Sequence, residues 1–299
     1  MNFQKVENTE DIMRKVISLI AIIMVMCILS VGFTGCDDSE TVGTETPVAT
    51  GNATDSADEG LISTEAPVPT SDTSLPLSGV VVCVNAGHQL TGNKEKEPCA
   101  PWDASKNSEY NIETLKAKCT SGATGQFTGI PEYITTLQIS KCIETTLKDL
   151  GATVVMIRDV HEVDISNVER AKKANEVKAD VFLNVHCNSS TNASANGIDL
   201  YVRGSGDGSS EYLTKATKDY MMATELLTCL ANSTGANKRY VNKSDAYSTI
   251  NWAEVPSIIL ELGFISNETE DKNLNDATYQ QKIADGIATW LKASAYIEK

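Results

Sequence analysis

The chain has 299 residues, enough for one or two domains. Its 40 Asp and Glu against 25 Lys and Arg leave a net charge of −15. Phosphate binding needs a basic face, so nucleic acid is excluded as the main partner, and attachment to an anionic surface has to come from specific contacts. At the N-terminus, Val16 to Thr34 is an unbroken run of apolar and small residues behind Arg14 and Lys15. That is the basic-then-apolar order of a secretory signal. Met13 is a more typical start for it than the mildly acidic residues 1–12.

The run ends Val-Gly-Phe-Thr-Gly-Cys. It resembles a bacterial lipobox, with Phe33 where Leu is usual, and Cys36 as the residue lipidated after cleavage. An uncleaved membrane-spanning helix is the alternative, since about 19 apolar residues reach across a bilayer. Either way the remainder is exported, and the expected address is the outer face of a bacterial cell membrane. Residues 37–78 hold nine Asp or Glu and no Lys or Arg, among Thr, Ser, Gly and Pro. Such a segment buries too little apolar surface to offset ordering entropy, so it is expected to be a disordered tether. Flexible-chain scaling gives it a root-mean-square span of roughly 35 Å. The expected organisation is therefore a signal segment 1–36, an acidic tether 37–78 and a folded domain 79–296.

The folded part alternates. Val80 to Val84 is a continuous β-branched strand. Residues 90–128 form a long polar insertion. A helix starts near Pro131. Ile139, Ile143, Leu147 and Leu150 mark its inner face, and Gly151 stops it. Strands follow at 152–157, 180–185, 197–202 and 257–260, with a short one at 247–250. Ser166 and Glu169 make a capping box for a helix to about 178. Further helices are expected over 211–231 and 277–292. Strands alternating with helices imply an α/β fold: a single twisted, mostly parallel sheet with helices on both faces. Six cysteines lie beyond residue 36, and an exported location permits disulfides. Cys99 and Cys119, both in the polar insertion, are the expected pair. Cys83, Cys142 and Cys187 fall in core elements as small hydrophobes.

In such sheets, chemistry collects at the carboxyl ends of the strands. Three of these ends carry residues unsuited to a core. The first strand runs into Gly87-His88, the third into His186 and the last into Glu261. Alone, a histidine at a strand end is usually a hydrogen-bonded structural residue. Two of them with a carboxylate at one sheet edge match the donors of catalytic zinc, which takes three protein ligands and keeps one position open. Gly87 is expected to let the backbone turn so that His88 aims inward. Residue logic offers Glu132, Glu261, Cys187 and His161 as the third ligand. Cys187 neighbours His186 in a strand and so points to the other face. His161 lies in a loop. Glu132, in a first helical turn, also has a plain role against the helix dipole.

The ordered set Asn-Ala-Gly-His-Gln-Leu, Gly-Ile-Pro-Glu-Tyr-Ile, Glu-Arg-Ala-Lys-Lys-Ala-Asn, Phe-Leu-Asn-Val-His-Cys-Asn-Ser and Val-Pro-Ser-Ile-Ile-Leu-Glu-Leu-Gly-Phe-Ile-Ser-Asn resembles the zinc-dependent N-acetylmuramoyl-L-alanine amidases, the type 3 cell-wall hydrolases. The resemblance covers nearly all of 79–294. It implies Zn2+ as cofactor, with His88, Glu132 and His186 as its ligands and Glu261 as the catalytic carboxylate. It implies peptidoglycan as substrate, cut at the amide between N-acetylmuramic acid and L-alanine. Asn85-Ala86 stands where Asp-Pro is common, and Gln89-Leu90 where Gly-Gly is usual; neither change removes a ligand. Asn188 is placed to touch the metal surroundings or to make a turn, and Arg170 is structural. Two rival readings are a zinc carboxypeptidase, which needs an arginine such as Arg158, Arg203 or Arg239 for a terminal carboxylate, and a degenerate amidase domain that only binds peptidoglycan.

Overall fold

A computed structural model describes residues 74–103 and 114–297. They belong to the second of two units into which the chain divides, Ala66–Lys299. The signal segment, Cys36 and nearly all of the tether lie outside the described residues.

Six strands make the main sheet. They are β1 (Val81–Ala86), β4 (Thr153–Met156), β5 (Val181–Asn188), β6 (Ile198–Val202), β7 (Lys238–Lys243) and β8 (Ser257–Phe264), in the order β4-β1-β5-β8-β6-β7. All neighbours run parallel except β6 against β8. The two remaining strands, β2 (Asn93–Pro98) and β3 (Leu115–Cys119), form a separate antiparallel pair inside the polar insertion.

The central strands are buried on both faces, and side chains alternate between two cores. Val82 and Val84 of β1, Leu183 and Val185 of β5, and Ile258 and Leu260 of β8 enter the larger core. There they meet α1 (Glu132–Asp149), α3 (Ser210–Thr234) and α6 (Ala277–Ala293), through Ile139, Ile143, Leu226, Ile283 and Trp290. Cys83 and Phe182 enter a smaller core on the opposite face, under α2 (Asn167–Glu176). Ser166 caps α2 as expected: Glu169 N–H donates to its hydroxyl at 3.1 Å, and Ser166 N–H donates to the Glu169 carboxylate at 2.7 Å. Two short helices, α4 (Ser248–Asn251) and α5 (Glu268–Leu274), complete the described elements.

Packing extends beyond the expected domain limits. Leu77 is fully buried and its N–H donates to Leu150 O at 2.9 Å, while Ile297 joins the larger core.

Two expectations are corrected. The short strand expected over 247–250 is instead the single helical turn α4, whose four residues are all buried. A run this short has no period to separate strand from helix. The turn is fixed by tertiary bonds from Asn251 Nδ2 to Asp245 O (2.7 Å) and Cys99 O (3.1 Å). The expected Cys99–Cys119 disulfide is also absent, since both are free thiols. The β2–β3 register explains why. Cys119 pairs with Asn93 at one end of the hairpin, whereas Cys99 lies past the Pro98–Leu115 pair at the other. At about 3.3 Å per residue, the hairpin holds them far beyond the roughly 7 Å limit on Cα separation for a disulfide.

Candidate metal centre

Strand alternation sets the site. On the face of the smaller core, β1 presents Asn85 and the chain just past its end Gly87, β5 presents Asn184 and then His186, and β8 presents Ile259 and then Glu261. Asn85 pairs with Asn184 in register, and His186 with Glu261. Beneath the site runs a buried polar row, in which Asn85 Nδ2 donates to Asn184 Oδ1 (2.9 Å) and Asn184 Nδ2 to Ser257 Oγ (3.3 Å). Above that row the His186 ring lies over Gly87. A Cβ built at position 87 would overlap the ring at Cε1, Nδ1 and Nε2.

This corrects the expected role of Gly87, which supplies space rather than the turn. The residue that takes the left-handed backbone is His88, with φ 61°. Such a conformation costs a non-glycine residue roughly 1–2 kcal/mol. Two buried guanidinium groups hold the carbonyls on either side. Arg158 donates to Ala86 O (2.9 Å), Gly87 O (2.9 Å) and Tyr133 O (2.8 Å). Arg170 donates to Asn85 Oδ1 (2.6 Å), Ala86 O (3.1 Å), His88 O (3.3 Å) and Gln89 Oε1 (2.8 Å). Burial pushes both arginines down, Arg158 to about 10. The two departures from the expected motif, Asn85 and Gln89, are therefore both acceptors for Arg170.

Glu132 opens α1 but does not cap it. Its Oε1 accepts from Cys187 N–H at 3.0 Å and lies 3.2 Å from His186 Nδ1. Its Oε2 accepts from Ala123 N–H at 3.1 Å and lies 3.1 Å from His88 Nε2. Burial alone would raise its pKa; the hydrogen bonds and charges of the two imidazoles outweigh that and hold it well below the usual carboxylate range. A dipole-stabilising residue would point to its own first turn, and this side chain points across the strand ends.

His88, Glu132 and His186 each offer a ligand atom, and the three atoms lie within 4.8 Å of one another. His88 Nδ1 lies 3.0 Å from Thr120 O and 2.9 Å from Thr120 Oγ1. A proton on Nδ1, donated to Thr120 O, leaves the Nε2 lone pair facing the cluster. Gly122, with φ 82°, closes the side wall; a Cβ there would come within 2.7 Å of Glu132 Oε2 and 2.8 Å of His88 Cδ2.

Glu261 lines the same cleft, whose volume is about 370 Å³. Its Oε2 is buried without a hydrogen-bond partner among the described residues. Burial, then the negative charges of Glu132 and Asp199, push its pKa up to about 8. The imidazoles thus lower one carboxylate of the cleft, while burial raises the other. Two imidazoles and a carboxylate with an unpartnered acidic oxygen in the same cleft suit a divalent ion of the zinc class.

The other residues singled out by sequence do not join this cluster. His161 packs edge-on against Tyr133 at 5.3 Å between ring centroids. Cys187 packs into the larger core, and burial raises its thiol well above the ordinary value. Asn188 lines the cleft, and its Oδ1 accepts from Ser189 N–H in a local turn. The three arginines offered for a carboxypeptidase's carboxylate site are engaged elsewhere: Arg158 as above, Arg203 on buried Asp219, and Arg239 on Asp199. Among the described residues no arginine lines the cleft. Sequence reasoning missed Thr120, Gly122 and the N–H of Ala123, because backbone groups in an irregular insertion leave no residue-type signal.

The sheet and its helices are shared with solved amidase structures. Ami1 from Mycobacterium smegmatis superposes with a TM-score of 0.61 at 20% identity, over 73% of this chain and 99% of that one. AmiC2 of Nostoc punctiforme gives 0.52 at 24% identity, over 71% and 96%. In sequence, Bacillus subtilis YqiI is 34% identical over 168 residues, 56% of this chain and 75% of YqiI. The B. subtilis N-acetylmuramoyl-L-alanine amidase LytC is 31% identical over 167 residues, which cover 56% of this chain but only 31% of LytC. The family model for N-acetylmuramoyl-L-alanine amidase matches residues 82–293. The chain belongs to this family and is an enzyme of the amidase class.

The contact between Gly87 and His186 gives a direct test. Gly87→Ala should displace the His186 ring and weaken affinity for a divalent metal ion on the order of 10–100-fold, read by chelator competition, with the circular dichroism of the wild type retained. Unchanged affinity would show that the ring does not depend on this gap.

Proposed function

We propose that the chain hydrolyses the amide between the lactyl group of N-acetylmuramic acid and L-alanine in peptidoglycan, with zinc held by His88, Glu132 and His186. The observation that carries this reading is the convergence of those three donors in one cleft with the unpartnered carboxylate oxygen of Glu261. Membership of the amidase family supports the same reaction.

An amide resists water, so the nucleophile must be deprotonated and charge on the carbonyl oxygen stabilised. When bound, zinc supplies a Lewis acid that brings the acidity of water towards about pH 7 and polarises a carbonyl. Glu261 takes the proton from the attacking water and returns it to the departing amine. A nearby cation favours the ionised form of Glu261 that the first transfer requires. Glu132 stays ionised and serves as a ligand. Thr120 fixes the ring orientation of His88, and Arg158 and Arg170 fix its backbone.

For the rest of the chain we infer a lipidated Cys36 after a signal segment, and an acidic tether from residue 37 that ends before the packed Leu77, where the catalytic domain begins; that domain acts outside the cytoplasm. Among the described residues no helix is long and apolar enough to cross a membrane.

Two experiments test these assignments. Glu261→Gln should keep one zinc per chain and lose roughly 10²–10⁴-fold in turnover of a muramoyl-peptide, while Glu132→Ala should lose the metal itself. Equal turnover in wild type and Glu261→Gln would remove Glu261 from the mechanism. Separately, Cys36→Ser should move the protein from the membrane to the soluble fraction of expressing cells; retention in the membrane would favour a spanning anchor.

A further inference from the structure

One wall of the catalytic cleft comes from the polar insertion. Its strand β3 contributes Lys116, the one lysine or arginine that lines the cleft among the described residues. The Lys116 side chain is half-buried and does not swing freely, because its Nζ donates to Ala246 O at 2.8 Å, on the loop before α4. That loop lines the cleft as well. An ammonium group has three N–H donors, so two remain for a ligand. No carboxylate among the described residues pairs with Lys116. Lys118, two residues on along β3, shows the ordinary alternative: it pairs with Glu95 at 2.7 Å and does not line the cleft.

The other charged side chains of the cleft, apart from the imidazoles, are Glu132 and Glu261, and residues 79–299 carry a net −6 (22 Lys and Arg against 28 Asp and Glu). Such a field repels an anionic substrate. A stem peptide is anionic through its carboxylates. A fixed, half-buried ammonium in the same cleft offsets that repulsion and makes a charge-assisted hydrogen bond with one of them.

We propose, resting on the amidase reading above, that Lys116 is a specificity-determining residue that binds a stem-peptide carboxylate in the cleft. The polar insertion then has a function: it delivers the cation that selects acidic over amidated peptides.

The test compares N-acetylmuramoyl-L-alanyl-D-glutamate with the same compound bearing both glutamate carboxylates as carboxamides. Zinc-loaded wild type, Lys116→Met, Lys116→Arg and Lys118→Met are assayed for kcat/KM on both compounds, and Kd is measured for both by calorimetry. Wild type should favour the acid by about tenfold, the size of one partly exposed charge-assisted hydrogen bond, chiefly through KM. Lys116→Met should bring the ratio to about one, Lys116→Arg should retain most of it, and Lys118→Met should leave it unchanged. A wild-type ratio near one, or the same ratio in Lys116→Met as in wild type, overturns the proposal. Absence of cleavage of either compound by wild type instead overturns the amidase reading. The Kd ratio then decides on Lys116 independently: tighter binding of the acid in wild type alone supports it, and equal ratios refute it.

Discussion

The Glu132 carboxylate lies between two imidazoles, one just beyond the end of β1 and one in β5, 98 positions apart in the sequence (186 − 88). Most of the neighbouring structure bears on that contact. A buried carboxylate is costly unless its lone pairs are used, and here Ala123 N–H and Cys187 N–H satisfy the lone pairs that the imidazoles leave. His186 reaches Glu132 only because Gly87 has no side chain, and His88 only because its backbone turns left-handed. The sheet delivers His186 and Glu261 side by side through strand register, the start of α1 delivers Glu132, and the hairpin insertion delivers Thr120.

The support beneath this arrangement is cationic. Arg158 and Arg170 are buried and bonded mainly to main-chain carbonyls. Arginine suits the task because its planar fork of five donors can hold several carbonyls at once, and it stays charged when lysine would not. Asn85, where the family resemblance led one to expect Asp, leaves Arg170 with neutral oxygen partners and the weakly polar Cys119 Sγ. The left-handed strain at His88 is thus held by hydrogen bonds from outside its own loop, as strained functional backbone requires.

Much of this was legible in the sequence, for identifiable reasons. The continuous apolar runs of β1, β5 and β8 and the Ser166–Glu169 capping box announce themselves by residue type. Histidine and glutamate at strand ends stand out against those runs. Elements without a buried face were hidden. β7 (Lys-Arg-Tyr-Val-Asn-Lys) is an edge strand with no buried residue, and β2 and β3 alternate lysine with small or acidic groups. Helix α5, opened by Asn267 with Glu268, Glu270 and Asp271 in its first turn, is too short for a period to show. Residue chemistry alone also left Glu132 as one of four candidate ligands. Only the fold turns that side chain away from its own helix and towards the histidines.

The central claim is that two imidazoles and one carboxylate surround a single ion. X-ray absorption at the zinc edge of the purified, metal-loaded protein tests it most directly. The expected spectrum shows a first shell of nitrogen and oxygen near 2.0–2.1 Å with the multiple-scattering signature of two imidazoles and no sulfur. A sulfur shell near 2.3 Å, or a spectrum with no imidazole contribution, would contradict it.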